Sequence, residues 1–384
     1  MKNRLAALAA VSLFALNVTS VLAQSETQPT QPAPEAGSGQ NGAANQESEA
    51  ASQEQMAQSA NSGTMDRADA DMKAVLQQLM ELGAKPIDQL SVEEARSQPT
   101  PADAVKGALE EQGKSTAPQA VGNVQDITIP GPAGEINARV YTPEGSGPFP
   151  VIVYFHGGGW VIANLDVYDA TPRAMVNLTD AIVVSSHYRQ GPEHKFPAAH
   201  EDAIAAYKWV VENAGQLNGD SSHVAVMGES AGGGLAAHAA IQAREQQLTQ
   251  PVHMALIYPI AGTDTNTESY QENANAVPLN KGAMEWFFDK YLTQGDRDDP
   301  RVNLVEEADL SDLPPVTVVT AEIDPLRSEG QMLADKLEAA GVETQSRNFE
   351  GVTHEFFGMA SVVEDAEAAQ QFVADRLKQA FATN

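Results

Sequence analysis

The stretch that most constrains the fold lies at residues 224–243. An apolar run at 224–227 leads into G-E-S-A-G at 228–232, and Ala- and Leu-rich sequence follows to about residue 243. This order predicts a strand, a sharp turn and a helix. Gly228 and Gly232 lack the Cβ atoms that would collide where strand and helix meet, so Ser230 can expose its hydroxyl on the turn. Because G-x-S-x-G also occurs in ordinary tight turns, the rest of the chain decides its meaning.

Strands and helices alternate through the remainder of the chain. Apolar runs predict strands at 151–155, 181–185, 252–258, 316–320 and 344–349, and amphipathic runs predict helices at 168–178, 198–213, 329–340 and 364–381. This alternation indicates an α/β fold with a mostly parallel central sheet that is covered by helices on both faces. Two earlier strands, at 124–129 and 136–141 with a hairpin at 130–134, supply an antiparallel edge.

The N-terminus predicts export. Lys2 and Arg4 precede an apolar run at 5–16, and small residues at 21–23 precede Gln24. This is the layout of a secretory signal peptide, 1–23, which directs the protein to the periplasm or out of the cell after cleavage. The alternative is a membrane anchor, but the apolar run is short and is interrupted by polar residues. We therefore expect no stable membrane anchor.

The sequence divides the mature chain into three parts. Residues 24–64 are polar and of low complexity, which predicts a disordered tether. Residues 65–122 form a helical region, in which Met72, Leu76 and Met80 lie at helical spacing before Gly83, and a second helix is predicted at 101–111. These apolar side chains fit either plain core or a mobile cap over an active site, and we favour the cap. Residues 123–384 form the catalytic domain.

Composition excludes several classes of function. The chain has no Cys, so a disulfide framework, a thiolate nucleophile and a thiolate metal site are all excluded. A formal charge of −29 argues against nucleic acid and anionic membranes as partners. The D-R-D-D run at 296–299 is better interpreted as a solvated loop than as a calcium site. We expect no metal and no cofactor.

A glycine loop follows the strand at 151–155. In H-G-G-G-W at 156–160, Gly157, Gly158 and Gly159 let backbone N–H groups turn toward one point. With the Ala231 N–H this predicts an oxyanion hole. A flexible loop or a phosphate cradle is the alternative, and no G-K-S/T follows to support the latter. His156 is interpreted as structural.

Ser230 needs a base and an acid later in the chain. His354 follows the strand at 344–349 and is the only one of eight histidines after the candidate acids. Asp324 and Glu322 both follow the strand at 316–320. We favour Asp324, because Pro325 fixes the turn behind it and Glu322 lies nearer the strand. Farther back, Arg189 and Glu193 are predicted to tie their loop together by an ion pair.

Taken together, these motifs resemble the bacterial hormone-sensitive-lipase family of α/β-hydrolase esterases over residues 123–381. The shared motifs are H-G-G-G-W, G-E-S-A-G-G, D-P-L-R at 324–327 and G-x-x-H-x-F at 351–356. The resemblance implies a Ser230–His354–Asp324 triad, an oxyanion hole from the glycine loop and Ala231, and an N-terminal helical cap. It also implies hydrolysis of short- to medium-chain carboxylic esters without a cofactor. Q-G at 190–191, where relatives usually carry L-A, departs from the family pattern next to Arg189.

Further expectations and alternatives remain open. Trp160 and the cap residues Met72, Leu76 and Met80 are hypothesised to shape the acyl pocket, and a homodimer through the last strand and helix is compatible with the fold. The substrate is a small ester, with amides as an alternative. A non-catalytic ligand-binding protein on the same scaffold is a second alternative, but such relatives lack the catalytic histidine that His354 supplies here.

Overall fold

The computed structural model describes residues 63–383. The predicted signal peptide and the predicted tether up to residue 62 lie outside the described residues. Thr64, at the end of the predicted tether, is already buried, and its hydroxyl accepts a hydrogen bond from the Val277 N–H at 3.3 Å. Folded structure therefore begins slightly before the predicted boundary. No helix in the described part is long and apolar enough to cross a membrane.

One eight-stranded sheet forms the centre of the fold. Its strands are β1 (Asn123–Gly131), β2 (Gly134–Thr142), β3 (Phe149–Phe155), β4 (Ile182–Ser186), β5 (Gly219–Glu229), β6 (Met254–Ile257), β7 (Val316–Ile323) and β8 (Thr344–Thr353). They lie in the order β1-β2-β4-β3-β5-β6-β7-β8. β1 pairs with β2, and β2 with β4, in antiparallel register, whereas every other pair is parallel. The predicted mostly parallel sheet with an antiparallel edge is confirmed.

Helices cover both faces of this sheet. They are α1 (Ala70–Glu81), α2 (Val92–Ser97), α3 (Pro101–Glu111), α4 (Ala170–Thr179), α5 (Ala198–Asn213), α6 (Ala231–Glu245), α7 (Glu268–Glu272), α8 (Lys281–Tyr291), α9 (Arg327–Ala339) and α10 (Glu364–Phe381). Alternate residues of a strand point to opposite faces. Val151 and Val153 accordingly pack in the core that includes α5, α6, α8 and α9, while Ile152 and Tyr154 pack in the core that includes α1, α3, α4 and α10.

The N-terminal helices pack on the catalytic domain. Met72 and Leu76 on α1 are fully buried and join the same hydrophobic cluster as the strand residues of one sheet face. The Asp69 N–H, just before α1, donates to the Gly351 carbonyl at 2.8 Å. The helical region therefore contacts the segment that leads to His354. Met72 and Leu76 therefore belong to the hydrophobic core and not to a mobile cap over the active site, which was the interpretation that we favoured from the sequence.

Two helices between β6 and β7 were missing from the prediction. α7 is only five residues long, which is too short to show a helical period. In α8 the period is present in the buried residues Ala283, Met284, Phe287, Phe288 and Tyr291. This helix begins where the Asn280 side chain accepts a hydrogen bond from the Ala283 N–H at 2.7 Å. The Trp286 indole on α8 donates to the Leu90 carbonyl at 3.1 Å. This insertion thus contacts the N-terminal region, and the two together form the roof of the site described next.

Candidate active site

Ser230 lies on a strained turn between β5 and α6. Its φ of 56° and ψ of −119° fall in a region that residues with a side chain rarely adopt. A Cβ on Gly228 would collide with the Gly232 carbonyl, and a Cβ on Gly232 would collide with the Phe155 carbonyl. Both glycines are therefore required by the close approach of strand and helix. The Ser230 N–H donates to the Ile257 carbonyl at 2.9 Å, which fixes the turn to β6.

The turn brings three predicted residues into one hydrogen-bonded row. The Ser230 Oγ lies 3.0 Å from His354 Nε2, and His354 Nδ1 lies 2.7 Å from Asp324 Oδ2. Asp324 is fully buried, and its Oδ1 accepts the Leu326 N–H at 2.9 Å. With the Nδ1–H donated to Asp324, Nε2 is free to accept the serine proton. This is the geometry of a nucleophile, a base and an orienting carboxylate.

Glu322, the competing acid, has other partners. Its Oε2 accepts the Gly351 N–H at 2.9 Å, and its Oε1 pairs with Arg67 at 3.3 Å. The only acid in hydrogen-bond contact with His354 among the described residues is Asp324. The choice of Asp324 over Glu322 therefore agrees with the geometry.

Two opposing effects act on the pKa of His354. Burial disfavours the charged imidazolium, but the charge and hydrogen bond of Asp324 favour it, and Glu355 and Glu229 add to that effect. The net result is a raised pKa. The site thus stabilises the imidazolium that forms when His354 removes the serine proton.

The glycine loop lies beside Ser230. Gly158 and Gly159, which line the same cavity as Ser230 and His354, have φ values of 98° and 57°. A Cβ on Gly159 would collide with the Phe287 ring, and a Cβ on Gly157 with the Tyr168 hydroxyl. Ala231 is the first residue of α6, so its N–H has no acceptor within the helix. Gly158 and Gly159 therefore lie at the cavity that holds the nucleophile, and Ala231 directly follows Ser230.

His156 holds this loop from behind. Its Nδ1 contacts the Gly157 carbonyl at 2.7 Å, its Nε2 contacts His187 Nδ1 at 2.9 Å, and its ring stacks on Tyr188. Burial lowers the pKa of His156 to about 3, and the neighbouring His187 adds to the shift. His156 is therefore neutral. Within the described residues it makes no hydrogen bond to Ser230 or to Asp324. The geometry agrees with a structural role.

A cavity of about 890 Å³ opens onto Ser230 and His354. Both the N-terminal region and the insertion between β6 and β7 line it. Its apolar lining includes Leu79, Met80, Ile87, Val277, Leu279, Met284 and Phe287. This volume lies within the usual range for small-molecule sites. The cap is therefore built from two segments, whereas the sequence had indicated the N-terminal one alone.

The chain matches a known protein family over the segment that contains this site. The family described as having the alpha/beta hydrolase fold matches residues 152–358, which is more than half of the chain. The chain belongs to this α/β-hydrolase fold family. The match includes the glycine loop, Ser230, Asp324 and His354.

Individual relatives of the hydrolase are esterases. Carboxylic ester hydrolase LipN of Mycobacterium tuberculosis is 41% identical over 249 residues, which cover 63% of this chain and 66%, just under two thirds, of that protein. Ethyl acetate hydrolase of Pseudomonas putida is 33% identical over 319 residues, 80% of this chain and 98% of that protein. A solved structure of Pyrobaculum calidifontis esterase superposes with a TM-score of 0.71 at 38% identity, over 79% of this chain and 96% of that chain. These relatives agree with the resemblance to hormone-sensitive-lipase esterases.

Two predictions about the hydrolase do not match the placement of the side chains. Trp160 is 1% exposed, stacks on Tyr291 at 5.0 Å between ring centroids, and is not among the residues that line the cavity, so it is not placed to contact a substrate. Of the cap residues, Met80 lines the cavity but Met72 and Leu76 do not. A residue's apolar character at helical spacing does not tell which neighbour it will face.

The predicted Arg189–Glu193 ion pair is wrong. Arg189 instead binds the buried Asp202, with Nε 3.0 Å from Oδ1. Glu193 is bound by Arg96 of α2, which also donates to the Gly191 carbonyl at 2.8 Å. Arg96 of the N-terminal region therefore binds the loop that departs from the family pattern. No local sequence pattern could indicate this partner.

Two glutamates beside the triad were not predicted from the sequence. Glu229 and Glu355 are direct neighbours of Ser230 and His354, and three tyrosines hold their carboxyl groups: Tyr154 and Tyr258 donate to Glu229, each at 2.5 Å, and Tyr168 donates to Glu355 at 2.6 Å. Burial raises the pKa of Glu229 to about 7, against the hydrogen bonds of the two tyrosines. Their adjacency to the motif residues was the available signal.

Proposed function

We propose that the protein is a serine carboxylesterase that hydrolyses short- to medium-chain carboxylic esters through an acyl-enzyme on Ser230. The observation that carries this proposal is the hydrogen-bonded row from Ser230 through His354 to Asp324. The esterase names of the relatives support the reaction class.

Acylation begins when Ser230 Oγ attacks the ester carbonyl carbon and His354 Nε2 takes its proton. Asp324 keeps the Nδ1–H tautomer and stabilises the imidazolium. The N–H groups of the glycine loop and of Ala231 stabilise the oxyanion, and each such donor is worth about 10²- to 10³-fold in rate. His354 then gives its proton to the departing alcohol. In the second step water, deprotonated by His354, displaces Ser230 and releases the carboxylic acid.

The cavity supports a small apolar ester as substrate. Met80 and Phe287 are among the apolar side chains that line the space beside Ser230. When an acyl or alcohol chain packs against these side chains, its apolar surface is removed from water. This burial favours binding by about 0.8 kcal/mol for each methylene. The cavity is finite, so this gain ends once the chain extends beyond it.

The decisive experiment is hydrolysis of p-nitrophenyl esters from acetate to palmitate by the mature protein and its Ser230→Ala variant. We expect hydrolysis that is greatest for short and medium chains and a loss of about 10⁴-fold or more in the variant. Ser311→Ala, a hydroxyl outside the cavity lining that bonds Asp309, is the matched control and should behave as wild type. Hydrolysis that survives in Ser230→Ala would overturn the proposal.

The same enzyme should be offered the corresponding p-nitroanilides. The triad supports attack on amides as well, so a rate on anilides that equals or exceeds the ester rate would replace the esterase by an amidase. Binding of the esters without any turnover would favour a non-catalytic ligand-binding member of the fold.

The proposal includes export. Lys2 and Arg4 before the apolar run at 5–16 support a signal peptide that ends at residue 23. Fractionation of cells that express the full chain, with N-terminal sequencing of the product, tests it. A product that begins at Gln24 outside the cytoplasm is expected, and an uncleaved cytoplasmic product would contradict it.

The proposal also includes a homodimer through β8 and α10. β8 is the last strand of the sheet order, and residues 345–348 within it are exposed. Light scattering on the purified protein would give twice the monomer mass, and a monomer at assay concentrations would contradict it.

A further inference from the structure

Of the two glutamates next to the triad, only Glu355 faces the cavity. Glu229 is 1% exposed, both its oxygens are held by tyrosines, and it is not among the lining residues. The Glu355 side chain is 21% exposed and lines the cavity together with Ser230 and His354. Its Oε1 lies 3.8 Å from His354 Nε2.

The backbone at Glu355 is held in an unusual conformation. Its φ of 73° and ψ of 0° lie in the left-handed region, which costs a residue with a side chain about 1 kcal/mol. The Tyr168 hydroxyl lies 2.6 and 2.7 Å from the two carboxyl oxygens, and the same hydroxyl lies against Gly157 of the glycine loop. A strained residue whose carboxyl group is fixed at the reacting atoms points to a function there.

His354 Nε2 is the atom that receives protons in both steps. A molecule in the cavity that gives its proton to Nε2 must lie within hydrogen-bond distance of that atom. Glu355 Oε1 is within 4 Å of Nε2 on the cavity side, so it lies beside such a molecule. Water carries a second hydrogen, which such a carboxylate can accept. An alcohol has a carbon chain where water has its second hydrogen, so it cannot donate to Glu355 in the same way. Ser230 needs no such contact, because its backbone already fixes its position.

We propose that Glu355 binds and orients the water that hydrolyses the acyl-enzyme. This proposal rests on the function proposed above. One hydrogen of the water is donated to Glu355, and the other passes as a proton to His354 Nε2. The water oxygen forms a bond to the acyl carbon, the bond from that carbon to Ser230 Oγ breaks, and His354 returns the proton to Oγ. Glu355 takes part only as a hydrogen-bond acceptor, although burial raises the pKa of its carboxyl group against the effects of His354 and Tyr168.

The charged and titratable groups around His354 make the role of Glu355 measurable. Asp324 on the β7 side, Glu229 at the end of β5 and Glu355 all raise the pKa of His354, against its burial, and the Tyr258 ring lies 4.6 Å from the imidazole. Removal of the Glu355 charge therefore lowers the pKa of His354, and the acid limb of kcat/KM shifts to lower pH. That limb reports the free enzyme.

The test separates the two steps by stopped-flow kinetics with p-nitrophenyl butyrate. In Glu355→Gln we expect the deacylation rate constant to fall about 10- to 100-fold, the effect of losing one hydrogen bond to a charged group, while the acylation rate constant falls less than about 3-fold. A burst of p-nitrophenol near one equivalent per enzyme should then precede a slow steady state. Glu350→Gln, on the exposed face of β8, is the matched control and should leave both constants unchanged.

Methanol gives an independent readout. Because methanol lacks the second hydrogen, we expect the ratio of methyl ester to acid to rise in Glu355→Gln by about the factor by which deacylation by water falls. An equal fall in both rate constants would reduce Glu355 to an electrostatic or structural neighbour of His354. No change in deacylation or in the product ratio would overturn the proposal as well.

Two more variants guard against a fold defect. Glu355→Gly suits the left-handed backbone, so it should show the same deacylation defect without added backbone strain. Tyr168→Phe leaves the carboxylate but removes its fixed hydrogen bonds, so a smaller defect in the same step is expected. If the wild type hydrolyses no ester, or Ser230→Ala remains active, the proposed function fails; a wild type that turns over and a Glu355 variant without a deacylation defect refute this inference alone.

Discussion

Replacement of Asp324 by Asn tests the arrangement of the site most sharply. Asp324 accepts two hydrogen bonds, from the Leu326 N–H at 2.9 Å and from His354 Nδ1 at 2.7 Å. Asn has a single side-chain oxygen, and the Leu326 N–H, a fixed donor, will keep it. The amide NH₂ then faces His354 Nδ1 and donates to it. The imidazole must place its own hydrogen on Nε2, where it can no longer accept the Ser230 proton.

The expected loss follows from this change of tautomer. The same substitution in a serine-protease triad, a known example, lowers kcat by about 10⁴-fold, or about 5 kcal/mol in the activation barrier. We expect a similar loss here. Asp324 also raises the pKa of His354, so residual activity should show an acid limb shifted to lower pH.

The assay is kcat and kcat/KM for a p-nitrophenyl ester from pH 5 to 9, with Glu322→Gln as the matched control. Glu322 binds Arg67 and the Gly351 N–H and has no hydrogen bond to His354, so its variant should keep kcat within about 10-fold. Circular dichroism and thermal unfolding should show that both variants fold. A larger loss in Glu322→Gln than in Asp324→Asn would refute the assignment.

Two further predictions concern the glycine loop and the cap. Gly159→Ala places a Cβ against the Phe287 ring at a φ of 57°, so we expect a lower thermal midpoint from the collision and the strained backbone. In the protein that still folds we expect kcat/KM to fall about 10²- to 10³-fold, because an oxyanion donor is displaced; wild-type rates would contradict a role for this loop. Met80→Ala enlarges the cavity and should shift the preferred acyl length, whereas Leu76→Ala, fully buried in the core, should cost about 2–5 kcal/mol of stability and leave that preference unchanged. Measurement of kcat/KM against chain length, with denaturant unfolding, distinguishes the two.

The sequence was informative where local pattern decides the structure. The hairpin at residues 130–134, the helices at 198–213 and 364–381 and the strand–turn–helix around Ser230 all appear in the structure as predicted. Each depends on residues close together in the chain, namely turn glycines, alternation and helical period. Asp324 and His354 could be proposed because adjacent parallel strands end at the same edge of a sheet.

Partners across the fold could not be predicted. Arg189 binds Asp202 rather than Glu193, and Arg96 reaches Glu193 from almost a hundred residues earlier. The chain has 52 acidic residues, so several lie close in sequence to any basic residue. Only the packing of the folded chain selects which acid becomes the partner of a given basic residue. The burial of Trp160 is of the same kind, since an aromatic residue after a glycine loop fits a pocket wall or a core equally well.

The sequence by itself determined the order of the strands and of most helices, the nucleophile Ser230 and the base His354, and it left Asp324, which it favoured, and Glu322 as the candidate acids, because spacing and residue type impose those features locally. Only the tertiary structure decided what surrounds them. It placed the cap from two distant segments, chose Asp324 over Glu322, and brought the Glu355 carboxyl group to within 4 Å of His354 Nε2. Those features arise from side chains that meet after the chain has folded, when burial and hydrogen bonding between distant segments select one arrangement.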